Sequence, residues 1–571
     1  MTSFEQFDLF GVLNNYSPSK SSNSKEGGNF VTEDCAESRD SNSFSATSGV
    51  YKEDTIEDGL TSSQHQQEHQ LQLCSDFGFL EDLYFDILSP FQPSQEEIEK
   101  LISLQTDNSE HVDPQKEMPQ PFQLDSLGIL KNYGSGFRRL NREKINIPNC
   151  DTRCTKLGGK KLSTEAILRQ AAENFIQSPS QRIVGSSLFG LSAEETRDVQ
   201  LVQFLLASAE KAGQQQFNRA LKLLNKCNES SSDTGSPVQR VVFYFAEALR
   251  EKIDREAGRI TPKRLVSVDI EEAMMSLNSA TLACHETLPF CQIGQFTGMQ
   301  AILDNITQAK KIHLIDIEIR NGVQCTVLMQ ALAARHECPV ELLKITAVGT
   351  KSKPKLEETG KQLVSFAQTL NLPFSFNIVM VSDMLDLNEN LFELEAEEVV
   401  AVYAQYCLRT LIPKPDQLEC LMRVVRNINP CVMVVAEVEG NHNSPVFVDR
   451  FIETLFYFSA YFDCLGDCMD QKDQDRMITE SMYFSYGIRN IVAAEGKERN
   501  IRHVKINVWR AFFVRFGIIE TELSTSSLYQ AKLVVKNLNC GNSCTLDMDG
   551  KCLIMGWKGT PLSSISAWKF L

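Results

Sequence analysis

"KIHLIDIEIRNGVQ", residues 311–324, decides the fold. Ile312, Leu314, Ile315 and Ile317 form a short apolar run that reads as a buried strand. It closes on Asp316 and Glu318, and one glycine, Gly322, turns the chain into "TVLMQALAARH", which reads as a helix. A nucleotide-binding crossover begins in much this way.

Working outward, strand and helix alternate. "LLKITAVG" is a strand, "KLEETGKQLVSFAQTL" a helix, "FSFNIVMV" and "EEVVAVYAQ" strands, "PDQLECLMRVVRNI" a helix and "PCVMVVAEVE" a strand. Most of these strands are apolar on both faces, as in a parallel sheet covered on two sides. Upstream, "SAEE" at 192–195 is a capping box. Leu201, Phe204 and Leu205 follow on helical spacing, and Ala220, Leu221, Leu223 and Leu224 continue in the next helix. This leucine-rich hairpin carries more apolar surface than one face needs, which fits either a core or a dimer seam. The fold class expected is therefore α/β. A Rossmann-like, methyltransferase-like, parallel-rich sheet carries an α-helical cap and follows a disordered N-terminal region.

A working cofactor site is not expected at the opening stretch. A phosphate cradle needs repeated glycines so that backbone amides can approach, and only Gly322 is present. The next strand runs into "ITAVGTKSK" with no acid to hold ribose hydroxyls. Bulky Arg320 and Asn321 stand where a cofactor needs clearance. Asp316 with Glu318, or Glu437 with Glu439, has the spacing of paired carboxylates on one strand face. His313 among apolar neighbours reads as a core histidine. No GxSxG, P-loop or HExxH pattern occurs. Cys150/Cys154, Cys464/Cys468 and Cys540/Cys544 are Cys-x-x-x-Cys pairs, but a fourth ligand at zinc spacing is missing. No catalytic residue, cofactor or metal is expected.

The charge is unevenly placed. Of the 74 acidic and 57 basic side chains, residues 1–120 hold 23 and 6, and the remaining 51 of each balance. That acidic end repels phosphates and attracts basic partner surfaces. Residues 1–125, rich in Ser, Asn, Gln, Asp and Glu, bury too little apolar area to offset backbone entropy and are expected to be disordered. Two islands interrupt them, "FEQFDLFGVL" (4–13) and "DFGFLEDLYFDILSPF" (76–91), where Phe79, Leu83 and Phe85 are candidate anchors for a partner's groove. A basic linker, 126–190, follows. Its stretch 137–161 has eight Lys or Arg against Glu143 and Asp151, suited to nuclear import or phosphate contact. The folded region is expected from 191 to 571, cap mainly 191–300 and α/β core mainly 301–571. The 17 cysteines are scattered, and "MTSFEQFDLF" opens acidic without a basic n-region, so a reducing intracellular compartment is expected.

Several motifs in order resemble the GRAS family of plant transcriptional regulators. Ile312, His313, Leu314, Ile315 and Asp316 match its VHIID core, and the leucine-rich hairpin and "LEETGKQLVSFAQTLNLPFSF" match the leucine-rich regions around it. "PFSFNIV" and "FVDRFIETLFYFSAYFDCL" fit the PFYRE block. "GIRNIVAAEGKERNIRHVKINVWRAFFVRFGI" carries Trp509 and Arg510, and "MGWKGTPLSSISAWKF", with Trp557 and Trp568, is the SAW ending. The chain departs from the family after VHIID: Ile317, Glu318, Asn321 and Gly322 stand where an aromatic-Asp and Gln-Gly are usual, and Cys325 and Thr326 replace Trp-Pro. No DELLA-type degron is evident, although the sequence is similar to the DELLA-like and symbiosis-associated branches. The resemblance implies nuclear location and action through GRAS–GRAS dimers and DNA-binding factors, without catalysis. Leu201, Leu205, Leu221 and Leu224 are then candidate partner contacts, and Trp509, Arg510, Trp557 and Trp568 a C-terminal structural motif. Two alternatives stay open: direct DNA binding through 137–161, and an enzyme or small-molecule sensor at Asp316 and Glu318.

Overall fold

Strand β1 (Lys311–Ile317) lies inside a nine-stranded sheet whose main path runs β3-β2-β1-β4-β5-β9-β8-β7. The structure, a computed structural model, describes residues 162–177, 190–259, 279–470 and 473–571. Strands β2 (Leu342–Gly349), β3 (Phe374–Met380), β4 (Val399–Gln405) and β5 (Val432–Val438) join β1 in a parallel half, with Ile315 opposite Thr346 and Val402. The other half is antiparallel: β6 (Ile518–Thr521), β7 (Cys544–Asp549), β8 (Cys552–Trp557) and the long β9 (Thr560–Phe570). β9 pairs with β5 along one edge, while β8 and β6 share its other edge. This is the Rossmann-like α/β class expected. The antiparallel half, however, had only the terminal motifs to announce it.

Strand alternation divides the core in two. Ile312 and Leu314 of β1, Ala401 and Tyr403 of β4, and Val432 and Val434 of β5 face the layer that holds the cap. Ile315, Ile317, Val402, Met433 and Val435 face the opposite layer, which is closed by two helices, α9 (Pro415–Ile428) and α13 (Ile506–Val514). Each fully buried side chain of this size contributes roughly 1.5–3 kcal/mol, so both faces of β1 fix its register.

The cap is built from α1 (Thr164–Gln177), α2 (Ala193–Gly213), α3 (Phe217–Ser230) and α4 (Pro237–Glu256). Both longer helices start on capping boxes, Ser192 with Glu195 and Ser236 with Gln239, the second having Pro237 in its first turn. Glu195 Oε1 also accepts from the Leu162 amide at 2.7 Å, so one carboxylate holds the starts of α1 and α2 together. Helix α1 corrects the domain reading, because it lies inside the expected linker 126–190. Ile167, Leu168, Ala171 and Ala172 are 0–3% exposed, and an apolar face of that size must be covered. Residues 1–161, with both acidic islands, lie outside the described residues.

Helices α5 (Ser279–Thr287) and α6 (Pro289–Asn305) lead into β1, and α7 (Val323–Ala333) and α8 (Lys353–Thr369) flank β2. Helix α10 (Phe447–Cys468) runs beneath the cap and packs against α1, α2 and α4. After it come α11 (Gln474–Ile478), a π-helical turn at Thr479–Phe484, α12 (Ser485–Val492) and, beyond α13, α14 (Thr525–Asn537). Close approach of α6 to the sheet depends on Gly298, where a Cβ would stand 2.9 Å from the Tyr403 ring.

Candidate functional site

Strands β1 and β4 are neighbours, but the chain leaves β1 for β2 on one side and β4 for β5 on the other. Their carboxyl ends are thus the switch point at which such sheets bind ligands. Asp316, at the end of β1, is 2% exposed and accepts from Gln324 Nε2 at 2.8 Å. Burial pushes its carboxyl up to about 7, against the pull of the Gln324 hydrogen bond and the Arg320 guanidinium. Beyond it the backbone turns left-handed at Glu318 (φ 56°) and again at Tyr406 (φ 53°) after β4. Glu318 therefore leaves the alternation of β1 and does not share a strand face with Asp316, which corrects the paired-carboxylate reading.

The chain's own groups form hydrogen bonds across this crevice. Arg320 Nη2 donates to the Tyr406 carbonyl at 3.3 Å, crossing from the β1 end to the β4 end. Thr359 Oγ1 of α8 donates to the Arg320 carbonyl at 3.3 Å. At the start of α7, where a phosphate would meet free amides, Asn321 Oδ1 accepts from the Val323 amide at 3.3 Å. Gly322 N-caps that helix with φ 73°, and a Cβ there would meet Thr359 Cγ2 at 3.0 Å. The nearby thiols of Cys325 and Cys407 are pushed well up by burial and stand as neutral, poor nucleophiles.

His313 points to the opposite layer. Its Nε2 lies 2.8 Å from Thr346 Oγ1 and its Nδ1 3.2 Å from Glu398, which also pairs with Lys344 at 2.7 Å. Burial, then Lys344, lowers the ring to about 4, so it is neutral near pH 7. Glu437 accepts from the Arg409 amide at 3.2 Å. Glu439 accepts from the Ile506 amide at 3.0 Å and so caps α13 from the end of β5, while burial raises it to about 7. Among the described residues no group of three or more His, Cys, Asp or Glu is placed to hold a metal ion.

The cap leucines are placed differently from the partner-contact expectation. Leu201, Leu205 and Leu224 are 0–3% exposed within the cap's own core, and only Leu221 is half-buried. Three of the four therefore cannot touch a partner while the cap is folded. The outward side of α3 carries Arg219, Lys222, Asn225 and Lys226 instead. Phe79, Leu83 and Phe85 lie outside the described residues.

All three tryptophans are buried. Trp557 Nε1 donates to Asp463 at 2.9 Å, Trp568 Nε1 to Ser566 Oγ at 2.9 Å, and Trp509 stacks on Phe513, whose ring also meets Trp568. Arg510 joins Glu520 through two bonds of 2.9 and 3.0 Å and Asp549 through a third of 2.8 Å, tying α13 to β6 and to the β7–β8 turn. Two polar clusters went unread in the sequence, although Arg476 and Glu480 stand at i,i+4 spacing. One is the buried Arg240–Glu480–Arg476 triad, and the other is a histidine pair, His442 Nδ1 to His503 Nδ1 at 2.8 Å.

A model of the GRAS domain family matches residues 201–569. The chain belongs to the GRAS family. It is 32% identical to the DELLA protein RGA of Arabidopsis thaliana over 65% of this chain and 62% of that protein. It is 30% identical to the DELLA protein GAI1 of Vitis vinifera over 66% and 63%. These matches span a little under two thirds of either relative. The solved structure of SCL7 from Oryza sativa superposes with a TM-score of 0.57 at 27% identity, over 65% of this chain and 99% of that one. The chain is thus a GRAS-family protein similar to DELLA proteins, on a mixed α/β sheet with a helical cap.

Proposed function

We propose that this chain is a nuclear transcriptional co-regulator that works through protein contacts, with other GRAS proteins and with DNA-binding factors, and not through catalysis. The observation that carries this reading is the switch-point crevice. Gln324 on Asp316, Arg320 across to Tyr406 and Asn321 on the Val323 amide engage groups that a nucleotide or methyl donor would use. A scaffold so engaged leaves its surfaces as the working part. Partner contacts on the cap then involve Leu221 and the basic outer side of α3, and the acidic islands at 4–13 and 76–91 recruit the transcription machinery. The DELLA-like similarity supports a gibberellin-related setting, and symbiotic signalling is the alternative setting.

Replacing Phe79, Leu83 and Phe85 together by alanine should abolish activation in a plant reporter assay while the protein still co-precipitates with GRAS partners. Unchanged output would remove the recruiting role from that segment. A gel shift by the purified chain alone, weakening steeply with salt, would favour direct DNA binding instead.

A further inference from the structure

Two of the Cys-x-x-x-Cys pairs, far apart in sequence, meet at one place. Cys464 and Cys468 occupy the last turns of α10, and Cys540 and Cys544 bracket the turn between α14 and β7. Cys468 and Cys540 are joined as a disulfide with Cα atoms 5.9 Å apart, closing 72 residues of chain. That separation is within the ordinary range for a bridge. Cys464 Sγ lies 3.9 Å from Cys468 Sγ, and Cys544 is close enough to Cys464 to act on its charge. The bonded pair is half-buried and reachable from solvent, whereas Cys464 is fully buried.

The scattered cysteines of the sequence point only to a reducing compartment and give no sign of this bridge. The bridge sets a physical conflict: a solvent-reachable disulfide on a regulator of the cell interior faces a pool of thiols that exchanges with it. Bridges in that position are transient and regulatory as a rule, not permanent.

We propose that Cys468 and Cys540 are a reversible redox modification site: a dithiol at rest, which a hydroperoxide converts to the disulfide, with Cys464 and Cys544 remaining thiols. The Cys468 or Cys540 thiolate attacks a peroxide oxygen; the O–O bond breaks and leaves a sulfenic acid and one water or alcohol. The second thiolate then attacks that sulfur, the S–S bond forms, the S–O bond breaks and a second water leaves. Two thiols lose two electrons and the peroxide gains them. A dithiol reductant reverses the reaction through a mixed disulfide.

The neighbours set the selectivity. Burial pushes the Cys464 thiol well up and the Cys544 thiol up to about 12, so neither supplies the thiolate that would scramble the bridge. A competing zinc site would need all four sulfurs as ligands, and no such metal grouping occurs among the described residues. The bridge ties the end of α10 to the α14–β7 turn, beside the Asp463 and Asp467 contacts with Lys558. Because β7 is an open edge of the sheet and α14 packs on α6, the redox state governs how firmly that edge is held.

The test uses the purified full chain, reduced and then treated with hydrogen peroxide, with thiols trapped by alkylation and mapped by mass spectrometry. A Cys468–Cys540 peptide should appear with peroxide and disappear with millimolar glutathione. The same oxidation should raise Tm by several degrees, and Cys540→Ser should show no such rise. Linkage through Cys464 or Cys544, a bridge that survives glutathione, no bridge after peroxide, or zinc co-purifying with the four sulfurs would each overturn the proposal. If Cys540→Ser does not fold, the wild-type mapping and melting still decide it. Neither readout depends on transcriptional output.

Discussion

Glu480→Gln should loosen the junction between cap and core more than any exposed charge change. Glu480 is 0% exposed, with Arg240 Nε 3.0 Å from one carboxylate oxygen and Arg476 Nη1 2.7 Å from the other. Arg240 comes from cap helix α4 and also donates to the Gly235 and Phe462 carbonyls at 3.0 Å each. Glutamine keeps the shape and one acceptor but leaves two buried guanidiniums without their counter-charge. Breaking a buried pair of this kind costs about 3–5 kcal/mol, against about 0–1 for a surface pair. The retained acceptor places the expected loss near the lower end, about 3 kcal/mol. Adding Arg476→Met removes the surplus charge and should recover part of the loss, a coupling of about 0.5–3 kcal/mol in a double-mutant cycle. Urea unfolding of the full chain followed by far-ultraviolet circular dichroism gives the overall change, and hydrogen exchange at α4 and α11 localises it. A loss below about 1 kcal/mol, or no rescue by Arg476→Met, would refute the electrostatic reasoning.

Gly322→Ala should cost roughly 1–3 kcal/mol because of its left-handed backbone and the 3.0 Å approach to Thr359, and Gly322→Asn less; equal Tm values for all three proteins would contradict this. Leu205→Ala should cost about 2–5 kcal/mol by opening a cavity, whereas Leu221→Ala, at a half-buried position, should lower Tm clearly less and weaken co-precipitation of a GRAS partner. Equal Tm losses from both would remove Leu221 from the surface role. His442 meets His503 and the Tyr457 ring, its carbonyl accepts from Arg499, and burial first, then the charges of Arg499 and Lys505, lower the ring to about 3. A histidine depressed below its unfolded value of about 6.5 takes up protons on unfolding, so its contribution is whole above pH 6.5 and shrinks as pH falls toward 3. Asp316 and Glu439, raised to about 7, slope the other way between pH 4 and 7. The stability difference between wild type and His442→Asn should therefore narrow by several kcal/mol from pH 7 to pH 4, and a constant difference would count against it.

The parallel half of the sheet was readable because β1, β2, β4 and β5 are covered on both faces, and double coverage leaves an apolar run in the sequence. Helix α2 announced itself through its capping box, which is local, whereas the box of α4 emerged only from the structure. Helix α1 was missed although Ile167, Leu168, Ala171 and Ala172 carry a helical period, because the basic stretch before it suggested a linker. The cap leucines show the limit of periodicity: it marks a buried face but not what buries it, and here α2, α3 and α4 bury one another. Long-range polar partners left no trace. Arg240 and Glu480 are 240 residues apart, and Cys468 and Cys540 are 72 apart, so only the fold brings them together. At the candidate site, Arg320 and Asn321 were legible as obstacles from their bulk. The left-handed turns at Glu318 and Tyr406 were not, since neither residue favours that backbone.

Isothermal titration of the full chain with S-adenosylmethionine, and separately with a nucleoside triphosphate, tests the bridged crevice most directly. No saturable heat up to millimolar ligand is the expected result, because Gln324, Arg320 and Asn321 already engage partners such a ligand requires. Micromolar binding that is lost in Asp316→Ala would contradict the account.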